Sequence, residues 1–326
     1  MKIEASGETV FARQRAVAAI ALALTLVVGS GAAAPVAVID SVGTKVELAA
    51  PARRIVSLVP HATELLFAAG AGSQLIGVIA PADWPAEAAA LPQVGDARAI
   101  DLERIVALRP DLVVAWPYVA PAQLERLREL GFAVYLSDPH TPEAIADDLE
   151  RLGTLAGTRE SALRAATSFR SRLAALRVRE RGMPRVRVFY EIWHLPLYTI
   201  GGAHLISAAI DLCGGENVFA SIRLPAPSVS IESVLAAAPE VIVAGTDGAL
   251  RPTWLDAWQP WRSVPAVARG NLFVVDANLL HRAGPRFIDG VDQLCAALDQ
   301  ARARLGRYSG TKKISSPAPS VLSATP

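Results

Sequence analysis

The sequence predicts an α/β protein of two similar, doubly wound lobes joined by a single long rigid helix. Three observations predict it. A pattern over Asp101-Leu-Glu103-Arg-Ile-Val-Ala-Leu-Arg-Pro110-Asp111-Leu-Val-Val-Ala115 returns as Ser230-Ile-Glu232-Ser-Val-Leu-Ala-Ala-Ala-Pro239-Glu240-Val-Ile-Val-Ala244. Matching segments flank each copy: Arg54–Leu58 and Arg187–Tyr190 before it, Phe132–Leu136 and Leu272–Val275 after it. Between the copies, residues 158–181 are Arg- and Ala-rich, with Leu163, Phe169, Leu173 and Leu176 near helical spacing. One unbroken helix there would span about 36 Å, enough to reach from one lobe to the other.

Each copy of the pattern reads as helix, stop and strand. Asp101 and Ser230 can cap a helix, because a side-chain oxygen takes an orphan backbone N–H. Glu103 and Glu232 fall in the first turn, where a negative charge meets the positive end of the helix dipole. Pro110 and Pro239 end the helix, and the apolar runs 112–115 and 241–244 are short enough to be buried parallel strands. The period is too long for a solenoid, so the repeat marks two lobes.

Taken in order, residues 1–34 read as an export signal. Arg13 and Arg15 precede an apolar run over 16–28, and small residues lead to cleavage near Ala33 or Ala34. That run is short for a membrane span. Val36–Asp40 and Val46–Leu48 form a hairpin, Ile55–Leu58 a strand, Ala62–Ala69 a helix ended by Gly70, and Leu75–Ile79 a strand. The stretch 81–85 is a loop, since it holds Pro81 and Pro85. A helix over 123–130 and one over 142–156 come next, the second with Pro142 in its first turn and Gly157 past its end. The lobes then occupy 35–157 and 183–307, the linking helix 158–182, and a Ser/Pro/Thr-rich disordered tail 308–326.

The formal charge of +1, without a basic patch bearing interleaved aromatics, speaks against a nucleic-acid partner. No nucleophile elbow, His-Glu-x-x-His or phosphate loop is present. The five histidines, His61, His140, His194, His204 and His281, show no short metal-ligand spacing. His61 stands out: it comes after a strand and Pro60 and precedes a helix that Thr63 or Glu64 could start, and strand-to-helix loops at the carboxyl edge of a sheet are where α/β folds bind ligands. The cysteines Cys213 and Cys295 are either bridged, as an oxidising compartment favours, or two buried thiols.

The segments Arg54-Ile-Val-Ser-Leu-Val-Pro-His-Ala-Thr-Glu64, 102–116, Leu212-Cys-Gly-Gly-Glu-Asn-Val-Phe219 and Arg282-Ala-Gly-Pro-Arg286 carry a resemblance. Over about residues 36–305 the chain resembles the periplasmic substrate-binding proteins of ABC importers for iron–siderophore, haem and cobalamin, most of all the cobalamin-binding branch. The resemblance implies a ligand cleft between the lobes, a Cys213–Cys295 disulfide, a monomer, and no catalysis or intrinsic cofactor. It implies that Glu103 and Glu232 dock against arginines of the permease dimer in the inner membrane. Trp116 matches a cleft aromatic of that branch, Tyr198 stands where it has Phe, and Arg282 matches its cleft Arg. Pro81, Ala97 and Ala226 replace a Tyr and two Trp, and Asn278 stands where Asp is usual. Trp84, Tyr118 and Trp193 are candidates to take over the lost aromatic contacts. The ligand expected is cobalamin or a related corrinoid. The alternatives are haem, with His61, Tyr118 or His281 as axial ligand, a ferric siderophore, or an exported metal-dependent enzyme using His61 and His194.

Overall fold

The computed structural model describes residues 34–96, 98–118, 121–247 and 252–307. Ala97, the tail over 308–326, and all of the export signal but Ala34 lie outside the described residues. Strands β1 (Val36–Ile39) and β2 (Lys45–Leu48) pair antiparallel. The Asp40 carboxylate accepts from the Val42 and Thr44 N–H groups at the turn and from Leu136 N, which ties the hairpin to the first lobe.

That lobe is built on β3 (Ile55–Ser57), β4 (Leu75–Ala80), β5 (Gln93–Asp96), β6 (Leu112–Ala115) and β7 (Val134–Leu136), all parallel, in the order β5-β4-β3-β6-β7. Helices α1 (Pro60–Ala68), α2 (Leu102–Leu108) and α3 (Pro121–Glu129) lie between strands, and α4 (Pro142–Ala156) follows β7. The order reverses between β3 and β6, and a crevice opens at the carboxyl ends of strands at such a point.

The second lobe repeats the plan. Strands β8 (Val186–Glu191), β11 (Gly215–Asn217), β12 (Val241–Thr246) and β13 (Leu272–Asp276) form a parallel sheet in the order β11-β8-β12-β13. Its helices are α6 (Leu205–Leu212), α7 (Ile231–Ala237), α8 (Pro265–Ala268), α9 (Ala277–Leu280) and α10 (Phe287–Arg304). In each lobe the strand of the repeat lies beside the first strand of the sheet, Val113 opposite Val56 and Ile242 opposite Phe189. All four residues are fully buried, as an all-parallel sheet covered on both faces requires. A small hairpin of β9 (Trp193–His194) and β10 (Leu197–Tyr198) stands beyond the end of β8; the sequence pattern does not predict it.

The repeat works as expected at its start and differently at its end. Asp101 Oδ1 accepts from Arg104 N at 2.9 Å, and Ser230 Oγ from Ser233 N at 3.2 Å. The helices do not run to the prolines. Arg109 and Ala238, one residue earlier, turn left-handed at φ 46° and 42°. A proline's Cδ crowds the right-handed conformation of the residue before it, so the chain leaves the helix there. The acid after each proline secures the start of the neighbouring strand. Asp111 accepts from the N–H groups of Arg53 and Arg54, and Glu240 from that of Arg187.

Helix α1 opens at Pro60 rather than at Thr63 or Glu64, which lie inside its first turns. Proline is pre-organised for the first helical position, so the strand passes into the helix almost at once. Helix α5 (Arg159–Glu180) is one unbroken run of 22 residues, about 33 Å. It buries Ala162, Ala166, Phe169, Leu173 and Leu176 along one stripe. Arg170 pairs with Asp147 and Glu150 of α4, while Arg172 and Arg179 pair with Asp289 and Asp292 of α10. The helix is thereby fastened to both lobes. Cys213, just past α6, is disulfide-bonded to Cys295 in α10.

Candidate functional site

Both sheets turn their carboxyl edges toward one cavity of about 290 Å³ between the lobes. The first lobe contributes Pro60 and His61 after β3, Trp116 and Tyr118 after β6, and Asp138 and His140 after β7. The second contributes His204 at the start of α6, Ala226 from a loop, and His281 and Arg282 after α9.

Trp116 donates its indole N–H to Asp138 Oδ1 at 2.9 Å and meets the edge of Tyr118, ring centroids 4.9 Å apart. The bond fixes the indole plane while the side chain stays 38% exposed, leaving an aromatic face for a ligand. Four of the five histidines reach this cavity. His61 is buried and lies 3.0 Å from Ser137 Oγ; that serine's single hydroxyl proton goes to Asp148 at 2.6 Å, so His61 Nε2 is the donor. His204 Nδ1 accepts from Ile206 N at 3.1 Å and caps α6, which leaves the ring proton on Nε2. His281 Nε2 is 2.9 Å from the Tyr190 hydroxyl, in a space that exists because position 245 is Gly: a Cβ there would lie 2.5 Å from that nitrogen. Burial lowers the pKa of His61, His204 and His281 to about 4 each, so all three are neutral at neutral pH. His140 is exposed and lies 3.1 Å from Asp138. His194 stands apart, stacked on Trp254 at 5.3 Å. Among the described residues no three His, Cys, Asp or Glu side chains converge so as to hold a metal ion.

At one end of the cleft the lobes are bound by charge. Arg282 of the second lobe meets Asp83 of the first with both nitrogens, at 2.5 and 3.0 Å, and reaches Glu64 at 3.2 Å. Arg286 grips Glu64 in the same two-pronged way, at 2.6 and 3.0 Å. Burial alone would lower the Arg282 pKa, but the Asp83 hydrogen bond and charge outweigh it and raise it; the same bond holds Asp83 below its ordinary value.

Of the expected ligand residues, Trp116, His61 and Arg282 line the cavity, the last already engaged by acids. Trp84 does not; it lies over the Arg286 guanidinium at 4.5 Å. Asn278 accepts from Arg282 at 2.8 Å and supports it from behind. Tyr198 is held in β10 against Trp193 and Ser228, outside the lining. The substitute Tyr118 does line the cavity, whereas Trp193 bonds the Leu195 carbonyl on its own exposed hairpin. Sequence reasoning missed His140, His204 and the Glu64 and Asp83 pairs. The first had a usable signal, since it comes after β7 as His61 comes after β3.

Glu103 and Glu232 are both exposed, at the second position of α2 and α7. Each helix ends at the amino edge of its sheet, where Asp111 N and Glu240 N bond Arg54 O and Arg187 O, so each glutamate stands at the carboxyl edge where the cleft lies. A backbone hydrogen bond at the helix start and the Ser230 hydroxyl hold the Glu232 pKa below its ordinary value.

Two parallel α/β sheets facing one cleft, spanned by a single helix, define a binding protein of two lobes. The chain belongs to the periplasmic binding protein family, whose profile matches residues 55–279. It is 38% identical over 253 residues to the vitamin B12-binding protein of Vibrio cholerae, covering 77% of this chain and 91% of that one. It is 36% identical to the vitamin B12-binding protein of Vibrio vulnificus over 259 residues, 78% of this chain and 94% of that one. The crystal structure of the periplasmic vitamin B12 binding protein BtuF of Vibrio cholerae superposes with a TM-score of 0.71, over 77% of this chain and 98% of that one, at 38% identity. The periplasmic haem-binding protein RhuT from Roseiflexus sp. shares the fold at 25% identity and a TM-score of 0.68, over 76% of this chain and 98% of that one.

Proposed function

We propose that this protein is exported to the periplasm, binds cobalamin or a related corrinoid in the cleft between its lobes, and delivers it to the permease dimer of an ABC importer. It makes and breaks no bond. The observation that carries this reading is the likeness to vitamin B12-binding proteins across both lobes, at 38% identity. The site fits it: Trp116 and Tyr118 offer aromatic faces, and a corrin is broad and largely apolar. Glu103 and Glu232, one from each half of an internally repeated protein, suit arginines of a permease that is itself a dimer.

The cavity of about 290 Å³ lies at the lower end of the ~300–1,000 Å³ usual for small-molecule sites. Seating a corrin therefore requires the lobes to part, and the ion pairs of Arg282 and Arg286 are contacts that this opening strains. Titration of the purified mature protein with cyanocobalamin, followed by Trp fluorescence and by the ligand's visible spectrum, should give saturable one-to-one binding. Trp116→Ala should weaken it roughly 5- to 10-fold, the ~1–1.5 kcal/mol of one aromatic contact. No saturable signal at micromolar ligand would sink the cobalamin reading.

The histidines favour haem as the second reading. An absorption band shifted on haem binding and lost in His61→Ala or His281→Ala, with no response to cyanocobalamin, would select it.

A further inference from the structure

The charges of the cleft are closed among themselves. Of its arginines, Arg282 is bound by Asp83 and Glu64, and Arg286 by Glu64 alone with both prongs. Among the described residues these two cations thus stand against two anions. The described residues include one lysine, Lys45, and it pairs with Glu47 on the β1–β2 hairpin, outside the lining. The carboxylate of the lining is Asp138, which accepts from Trp116 and lies 3.1 Å from His140. Asp247 and Asp276 add negative potential on the side of His281. The arginines and carboxylates of the described lining, with the acids they pair with, therefore sum to neutral or slightly negative. Arg223, exposed on the loop before Pro225, lies outside the lining.

The cleft's remaining polarity is that of neutral donors. With its Nδ1 committed to the Ile206 N–H, His204 has its proton on Nε2, and adding a second proton would cost the cap of α6. An uncharged N–H of this kind suits an amide or ester carbonyl. It cannot neutralise a carboxylate.

We infer that the cleft takes macrocycles whose peripheral acids are masked as amides or esters, and turns away the same macrocycles as free carboxylates. A ligand carboxylate would enter a partly desolvated space beside Asp138, where the described lining offers it no unpaired arginine or lysine. At an effective dielectric constant of ~20 one such charge pair at 4–6 Å is worth roughly 100- to 1,000-fold in affinity. Cobalamin, with its amidated rim, satisfies the condition; haem, with two free propionates, does not. The inference rests on reading this cleft as a tetrapyrrole site.

Calorimetric titration of the full mature chain with dicyanocobinamide and with dicyanocobyrinic acid tests it. The amidated ligand should bind at least ~100-fold more tightly than the carboxylic acid, and the gap should narrow in high salt. Asp83→Asn, which removes one negative charge at a half-exposed site and leaves Arg282 less neutralised, should reduce the ratio about 10-fold, and Arg223→Gln should leave it unchanged. Equal affinity for the two ligands, or a ratio that ignores Asp83→Asn, overturns the inference and leaves the corrinoid reading standing. If neither corrinoid binds, the corrinoid reading falls, and haemin against its dimethyl ester decides the charge rule: tighter binding of the ester supports it. Equal or tighter binding of the free acid, or binding of neither, overturns it.

Discussion

Ala238 is held left-handed at φ 42° between a helix and Pro239, with a Cβ that the conformation disfavours. Ala238→Gly should therefore raise stability by about 1 kcal/mol in denaturant unfolding, the reverse of glycine's effect inside a helix. Glu191, at the end of β8, is buried against the Trp258 indole N–H at 2.7 Å, and burial raises its pKa from 4.5 to about 7. The folded state thus holds this proton more tightly than the unfolded chain. Its favourable contribution is complete below pH 4.5 and is lost as pH rises through 7. Glu191→Gln keeps an acceptor for the indole and has no proton to lose. It should match the parent at about pH 4 and exceed it by on the order of 2–3 kcal/mol at about pH 8.5 in thermal or urea unfolding; a constant difference across that range would mean that Glu191 does not titrate as described. Neither position was legible in the sequence. Pro110 and Pro239 marked where the helices stop, but a left-handed residue before them comes only from the competition between proline and helix geometry, and burial of Glu191 depends on a tryptophan 67 positions away.

Elements were more legible than residues, because their signals are local. The Asp101 and Ser230 caps, the Pro142–Gly157 limits of α4 and the unbroken α5 could all be read from a few adjacent side chains. The hairpin Trp193–Tyr198 escaped notice because its strands are only two residues each and Pro196 interrupts the pattern between them. Within α5 the surface arginines are partly exposed and each pair is worth ~1 kcal/mol or less, so the buried stripe does most of the fastening. At the packed face Gly153 of α4 lies so near α5 that a Cβ there would come within 2.1 Å of Ala162 Cβ. Leu173→Ala, which empties one place in the stripe, should cost about 2–5 kcal/mol, read as an earlier unfolding midpoint. Arg172→Ala should cost under ~1 kcal/mol by the same measure.

At the scale of the molecule, the two-lobed plan was visible because duplication leaves a repeated string, whereas the site was not, because it is assembled from long separations. Arg282 and Glu64 are 218 positions apart, and Arg286 and Glu64 are 222. Nothing in the string says that Trp84 covers Arg286 while Tyr198 stays on its hairpin, since each orientation is decided by neighbours from elsewhere in the chain. The docking assigned to Glu103 and Glu232 also belongs to this scale. Replacing both by Arg should abolish stimulation of the importer's ATPase in reconstituted vesicles while leaving ligand affinity within about two-fold, because both glutamates are exposed and outside the cavity lining. Stimulation that survives the double reversal would refute the assignment.

The helix fastened to α4 at one end and α10 at the other has a bearing on how a permease would tell a full carrier from an empty one. A strut of unbroken helix keeps the halves joined, so the parting that admits a ligand becomes a rocking or twisting of one half against the other. The message of loading would then travel as a change of tilt between the two halves and the acids they carry.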